Sequence, residues 1–429
     1  MWAAWVVVHQ PSLDLAPAIS GPMILGVGFV ASFFASRASG SRSLFVAGLS
    51  GLLAGAVTLA SVTSILVQQA DPAAGPVATE SLVQGGNRPP LPVLIAGFLA
   101  TCTVLGLLAG TLARLLPSTK ACEYRPLHCA AWTTLAAVVP LVVLGGLVTS
   151  TRSGLAVPDW PGTYGGNMFL YPVSLMASND HVFLEHSHRL FGVLVGLCAI
   201  SLVFLAFLGR ASHATKTLAV IALVLIIIQG ALGGLRVEIP STAKAILHGI
   251  LAQFIVGILG AAVATSGWPR LPSDEIAQDR TLRVFATALV HTTALQVVFG
   301  AIYRHTGGMH SLITHIVLSF GVFVLALIAG FRANSTPTPT DRRSTGRAVI
   351  TLVILQVLLG WAAFMVAPPS TNRTVPKSDE LSSIVPLPGW KSALRTAHQA
   401  NGAFLMAAAC ALLAHARRGK HSAISPKPE

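Results

Sequence analysis

The sequence predicts an all-α polytopic membrane protein, and three observations carry that expectation. Hydrophobic residues make up 53% of the 429 and charged residues only 10%. Eleven apolar stretches approach the roughly 20 residues that a helix needs to cross a bilayer. Lys and Arg fall in short segments between those stretches instead of forming one patch. A soluble domain carries about a quarter charged residues, so the deficit marks lipid as the solvent. The net charge of +13 would suggest nucleic acid on a soluble chain. Its scatter among the loops points instead to membrane topology, and the expected partner is the lipid bilayer, not nucleic acid.

The stretches lie at about 19–36, 43–67, 91–116, 127–149, 185–208, 216–236, 244–265, 281–303, 309–331, 346–366 and 391–415. Backbone groups in lipid must be satisfied internally, which leaves helices or a closed barrel. Runs of this length exclude the barrel strand. Alternate loops hold 18 of the 28 basic residues. The positive-inside rule places that side in the cytoplasm, with the N-terminus outside and the C-terminus inside. The expected location is the inner (plasma) membrane of a bacterium. No basic segment precedes the first apolar run, so no cleaved signal peptide is expected. The segments at about 150–184 and 367–390, rich in Pro, Gly and Ser, read as long outer loops, and 334–345 as a polar linker. Cys102, Cys122, Cys129, Cys198 and Cys410 have no C-x-x-C spacing and predict neither disulfide nor thiolate metal site.

From about residue 121 the chain repeats. Gly145-Gly146-Leu147-Val148 closes one stretch and Gly300-Ala301-Ile302-Tyr303 another. Each is followed by a helix with histidine near its start, His188 or His315. Then comes a run with glutamine, Ile228 to Gly234 or Leu355 to Trp361, and a further helix with histidine near its start, His248 or His398. The expected architecture is two pseudo-repeated four-helix transmembrane bundles plus three extra N-terminal helices. The corresponding domains are a 1–120 extension of unknown role, a first repeat at 121–270 and a second at 271–429.

His188, His248, His315 and His398 fall at similar depth, near the outer ends of their helices. Imidazole is a common axial ligand of haem iron, and facing helices can clamp a porphyrin in a bundle. Small residues one turn later, Gly192, Gly402, Ser319 and Ala252, leave room for a flat ring. The competing reading is polar helix packing. It explains a single histidine well, but four in a repeat at one depth poorly. His181, His186, His305 and His310 lie on the outer rim and fit either reading. His9, His213, His415 and His421 are placed in loops or at termini, and His128 and His291 have no counterpart in the repeat.

The halves differ in their ionisable groups. Glu185 and His188 share a helix face. In the second half, Leu312, Ile313 and Ile316 stand where Glu185, His186 and Arg189 stand in the first. A carboxylate beside a porphyrin can move protons or stabilise developing charge, whereas an apolar surround suits a resident electron carrier. The first half is therefore expected to react and the second to hold a fixed haem. The competing role for Glu185 is a favourable charge at a helix start. Arg152, Arg189, Arg236, Arg304 and Arg395 gather on the outer side against the general charge bias. They are the candidate partners of haem propionates, with Arg152 and Arg236 favoured; the competing role is interfacial anchoring.

The run Gly145 to Pro161, which contains Ser153-Gly154-Leu155-Ala156-Val157-Pro158-Asp159-Trp160-Pro161, resembles the haem A synthase family of cytochrome oxidase assembly factors. So do Glu185-x-x-His188-Arg189, Gly233-Gly234-Leu235-Arg236-Val237 leading to His248, and His398-Gln399-Ala400-Asn401-Gly402-Ala403. The likeness spans about 125–415. It implies oxidation of the ring methyl of the substrate haem O, by successive hydroxylations, to the formyl group of haem A. It implies His188 and His248 as ligands of the substrate haem, His315 and His398 as ligands of a haem b cofactor, and Glu185 as the essential carboxylate. Implied partners are the haem O-producing farnesyltransferase and a membrane electron donor or acceptor. Many bacterial members carry a cysteine pair in the first outer loop, and 150–184 has none. The family core has eight spans, so the first three here are additional.

Two rivals remain. A di-haem b-type cytochrome that only passes electrons explains the histidines but gives Glu185 and the Asp159-Trp160 loop no task. A haem-handling assembly protein without catalysis would make no haem A. A prenyltransferase is disfavoured because no Asp-rich diphosphate motif appears.

Overall fold

The computed structural model describes residues 17–38, 44–62, 90–116, 126–172, 175–176, 179–209, 211–267, 279–335, 340–367 and 389–418. These hold eleven α-helices: α1 Pro17–Ala38, α2 Leu44–Val62, α3 Leu91–Leu115, α4 Pro126–Ser150, α5 Asp180–Leu208, α6 His213–Glu238, α7 Thr242–Ser266, α8 Arg280–Thr306, α9 Met309–Asn334, α10 Thr340–Met365 and α11 Gly389–Arg417. Each falls on one of the eleven expected stretches, although residues 63–67 of the second stretch lie outside the described residues. Nine of them, α3 to α11, are long and apolar enough to cross a membrane, and the apolar parts of α1 and α2 are shorter. The chain is a polytopic helical membrane protein. The 368–388 part of the expected long loop, Cys122 and both extreme termini lie outside the described residues, where Cys102, Cys129, Cys198 and Cys410 are free thiols.

Local chemistry sets several helix ends. Ser212 accepts a hydrogen bond from the Thr215 N–H at the start of α6, and Asp279 accepts one from Leu282 at the start of α8. Asp279 also pairs with Arg332 of α9 at 2.8 Å. At the other end of α8, Gly307 takes φ 71° and its N–H donates to the Tyr303 carbonyl. Glycine adopts that left-handed geometry without a Cβ penalty. The next residue, Gly308, already precedes α9, so the reversal is tight and delivers His315 two turns later.

The chain divides into two compact units, residues 1–125 with 152–194 and residues 126–151 with 195–429. This grouping cuts across the expected boundary at 270. In the first unit α2 packs on α3, and α1 on both. A methyl added at Gly51 would strike the Cys102 carbonyl, and one at Gly106 the Ala47 carbonyl. Small residues thus bring two backbones together, the usual way to gain dispersion between helices in lipid.

In the second unit α8, α9, α10 and α11 close a ring of neighbours, α8 on α9, α9 on α10, α10 on α11 and α11 on α8. Leu282, Ala286, Leu289, Val322, Val353 and Leu412 fill its centre. A second core joins α4, α6, α7, α11 and the C-terminal half of α5, around Val138, Leu202, Ala222, Leu259 and Ala403. The most extensive helix pair is α7 with α11. Gly260 meets the Ala407 backbone, and Gly257 meets Met406 and Cys410. Two of the histidine-bearing helices therefore run against each other at near-backbone distance.

Candidate functional site

His315 lies in the second turn of α9 and His398 in the third turn of α11. Their ring centres are 6.3 Å apart and their planes cross at 81°. Two imidazoles on opposite sides of one metal, each with a nitrogen about 2 Å from it, have ring centres about 6 Å apart. The centre-to-centre spacing is compatible with one metal between the two rings. Among the described residues no group of three His, Cys, Asp or Glu could hold a metal ion. Only two protein ligands are required where a porphyrin supplies the rest.

The two rings have different polar partners. The His315 Nδ1 lies 3.0 Å from the Gln296 carbonyl. A carbonyl only accepts, so the nitrogen donates and Nε2 is the unprotonated one. Beside His398 the amide Nε2 of Gln356 lies 3.2 Å from Nδ1 and 3.5 Å from Nε2, so this amide donates at the edge of the ring, whereas the Gln296 carbonyl accepts from His315. The Gln356 Oε1 accepts from Asn401 Nδ2 at 2.7 Å, and Asn401 also donates to the Leu352 carbonyl at 2.9 Å. The space beside Gly402, expected to admit a flat ring, instead faces Gln356, whose nitrogen would lie 3.2 Å from an added methyl. Gly192 has open space there.

Three of the five candidate arginines fall in this unit. Arg304 closes α8 and donates to Gln399 Oε1 at 2.5 Å, Ser150 Oγ at 2.8 Å and the Gly146 carbonyl at 3.2 Å. The like charges of Arg236 and Arg395 act on it and on His305. Guanidinium groups pair well with carboxylates, so the cluster is chemically suited to them. Gln399, next to His398, also accepts at its carbonyl from Gln253 Nε2 at 3.4 Å. His248 stands in the second turn of α7, its carbonyl accepting from Gln229 Nε2 of α6 at 2.9 Å. His248 belongs to this unit and His188 to the other.

The other unit contains the loop 152–179 and the start of α5. Here the two most specific sequence runs meet. Arg189 reaches across them: its Nε pairs with Glu185 at 3.2 Å, its Nη1 donates to the Asp159 carbonyl at 2.6 Å and the Gly162 carbonyl at 3.1 Å, and its Nη2 donates to the Val157 carbonyl at 3.0 Å. The Glu185 and Arg189 side chains are each only 8% exposed. Arg189, expected as a propionate partner, is thus the pin that fastens the loop. Its donors serve backbone carbonyls, which a sequence motif cannot display.

The loop supplies its own frame. The Asp159 carboxylate accepts from the Tyr164 N–H at 2.7 Å and the Gly165 N–H at 2.9 Å. Tyr164 and Gly165 take φ 51° and 79°, and the Trp160–Pro161 bond is cis. The Tyr164 hydroxyl donates to the Ala156 carbonyl at 2.7 Å and its ring stacks on Tyr171 at 5.8 Å. Burial, then the neighbouring Tyr164 and Asp159, push the Tyr171 phenol up to about 12. Burial and Asp159 raise the Tyr164 phenol as well, against an opposing effect of Arg189. His186 is fully buried, 3.2 Å from Thr163 Oγ1 and beside Tyr171. His181 Nδ1 lies 2.7 Å from Ser153 Oγ. Two of the four rim histidines, His181 and His186, therefore fasten the loop. Arg152, at φ 61°, begins the loop.

Of the histidines expected in loops or at termini, His415 is a correction. It lies buried in the last turn of α11, its carbonyl accepting from Arg342. The apolar run Ala407 to Ala414 continues through it, so the helix does too.

These features define a class: a helical membrane protein with a paired-imidazole site and an arginine-pinned loop. Residues 128–314 match the family model described as cytochrome oxidase assembly protein, and the resemblance read from the sequence holds over that segment. The segment contains Arg152, Glu185, His188, Arg189, Arg236, His248 and Arg304; His315 and His398 follow it. No curated protein and no solved structure matches the chain.

Proposed function

We propose that this protein is a haem A synthase, oxidising the ring methyl of haem O to the formyl group of haem A for cytochrome c oxidase assembly in a bacterial plasma membrane. The observation that carries the haem reading is the His315–His398 pair, whose 6.3 Å spacing is compatible with one metal between the two rings. The family match over residues 128–314 supports a role in cytochrome oxidase assembly. His315 and His398 are the proposed ligands of haem b. When bound, haem b supplies one-electron transfer, which links the oxidation to a membrane electron donor or acceptor. His188 and His248 are the proposed ligands of the substrate haem, on the strength of the resemblance and of their place near helix starts.

The chain's own residues divide the remaining work. Arg236, Arg304 and Arg395 bind carboxylates through charge-assisted hydrogen bonds, and Arg152 is proposed for the same role. Glu185 is the proposed catalytic carboxylate, moving a proton at its carboxylate beside His188, and Arg189 positions it. The arrangement as two pseudo-repeated four-helix bundles, with the N-terminus outside and the C-terminus cytoplasmic, belongs to the same reading, as does supply of haem O by its farnesyltransferase.

The test is chromatography of haems extracted from cells that make haem O and express this chain. The wild type is expected to yield haem A. Glu185→Ala is expected to lose haem A at least tenfold while keeping haem b. The ion pair between Glu185 and Arg189 favours a second reading, a di-haem electron carrier in which Glu185 is structural. Unchanged haem A in the Glu185→Ala variant would support a non-catalytic Glu185, and no haem A from the wild type would sink the synthase.

A further inference from the structure

One register recurs before three of the four histidines. Gln229 and Gly233 in α6, Gln296 and Gly300 in α8, and Gln356 and Gly360 in α10 each form Gln-x-x-x-Gly. The spacing places both residues on one helix face. In every case the glycine abuts the imidazole of the following helix. A methyl added at Gly233 would lie 3.2 Å from His248 Cε1, one at Gly300 2.7 Å from His315 Cε1, and one at Gly360 3.0 Å from His398 Cε1. In every case the glutamine residue, one turn earlier, hydrogen-bonds the histidine residue. Gln229 uses its side chain to the His248 carbonyl, Gln296 its carbonyl to the His315 ring, and Gln356 its side chain to the His398 ring.

We infer that Gln-x-x-x-Gly is an imidazole seat, and that Gln296, Gly300, Gln356, Gly360 and Asn401 are the positioning residues of the His315–His398 pair. The inference rests on the proposed haem site and deepens it. Glycine gives the ring edge room, because an added Cβ would crowd the imidazole Cε1, most severely at Gly300. Glutamine sets the ring's rotation or the height of its helix. Asn401 acts through Gln356, fixing that amide by donating to its Oε1 while anchored on the Leu352 carbonyl. Partners that orient an imidazole also tune its basicity as a ligand. In α4 the same register carries Leu141 before Gly145, so the fourth helix of this set has the glycine without the glutamine.

The test uses full-length purified protein. The readouts are haem b per polypeptide, the low-spin ferric signal by electron paramagnetic resonance, and the midpoint potential. Gly300→Ala and Gly360→Ala are expected to lose at least tenfold of the low-spin haem b signal with normal membrane yield. Alanine is the better helix former, so helix propensity works against that result. Gly321→Ala, where the added methyl would meet Thr292 at an ordinary 3.7 Å, is the control and keeps the signal. Gln356→Leu and Asn401→Leu are expected to keep haem b but shift both the resonance signal and the potential in the same direction.

Wild-type signals in both glycine variants would overturn the seat. So would an unshifted Gln356→Leu. A wild type without haem b, or one whose haem b survives both His315→Ala and His398→Ala, would instead overturn the haem-site reading itself.

Discussion

Arg189 shows how one side chain ties two distant sequence runs into one structure. It donates to three carbonyls of the 157–162 segment and pairs with Glu185. A guanidinium matches that divergent set; a lysine ammonium on its flexible stem does not. Arg189→Lys is therefore expected to loosen the loop and cut haem A formation more than tenfold, with haem b unaffected. Net losses of about 1.5–3 kcal/mol per charged hydrogen bond make this a large effect. Limited proteolysis of the loop, compared with haem content, checks it. The phenols give a second handle. Tyr171 is pushed up to about 12 and Tyr164 is raised in the folded loop, against about 10 for an exposed phenol. The folded state thus favours their neutral forms. That contribution is complete below about pH 10 and is lost as pH rises toward 12. A phenolate absorbance titration is expected to show a late component that Tyr171→Phe removes.

Besides their Leu and Val cores, some helix pairs gain contact by close backbone approach. Gly260 of α7 faces the Ala407 backbone of α11, and Gly257 faces Met406. Leucine at 260 would force the pair apart, and overpacking of this kind costs about 1–3 kcal/mol or more. Gly260→Leu is expected to lower the thermal midpoint in detergent and release haem b together with it. Gly230→Ala in α6, where an added methyl meets nothing within 4 Å, is expected to be neutral or to stabilise the helix by up to about 1 kcal/mol. A parallel melt of the two variants decides. The apolar faces of α9 and α10 are exposed instead, with Phe320, Phe331, Trp361 and Met365 each more than 60% accessible. That exposure is the expected state of a lipid-facing surface.

At the scale of the whole molecule the proposed function assigns the histidines two different tasks. His315 and His398 sit within one closed four-helix ring, while His188 and His248 belong to different units. His315→Ala is accordingly expected to abolish the stable b-type absorption, and His188→Ala to abolish product while that absorption remains. Difference spectra with paired haem extraction measure both. Equal loss of haem b in the two variants would refute the division of labour.

Much of this was legible in the residues. Hydropathy located the eleven described helices, nine of them long and apolar enough to cross a membrane, because a span in lipid must be long, apolar and internally hydrogen-bonded. His315 and His398, paired in the sequence by their like positions along it, do lie with ring centres 6.3 Å apart. Composition could not reveal the task of Arg189, since its partners are backbone carbonyls and any residue type provides those. Nor did periodicity expose the seat glycines, although the Gln-x-x-x-Gly register was available in α6, α8 and α10. Which glycine faces a ring depends on how neighbouring helices rotate against one another. Chain-local chemistry dictated where helices form and which carry imidazole. The facing of Gly300 to His315, of Gln356 to His398 and of Arg189 to its loop came from packing, because contacts between elements depend on rotations and depths that no single helix encodes.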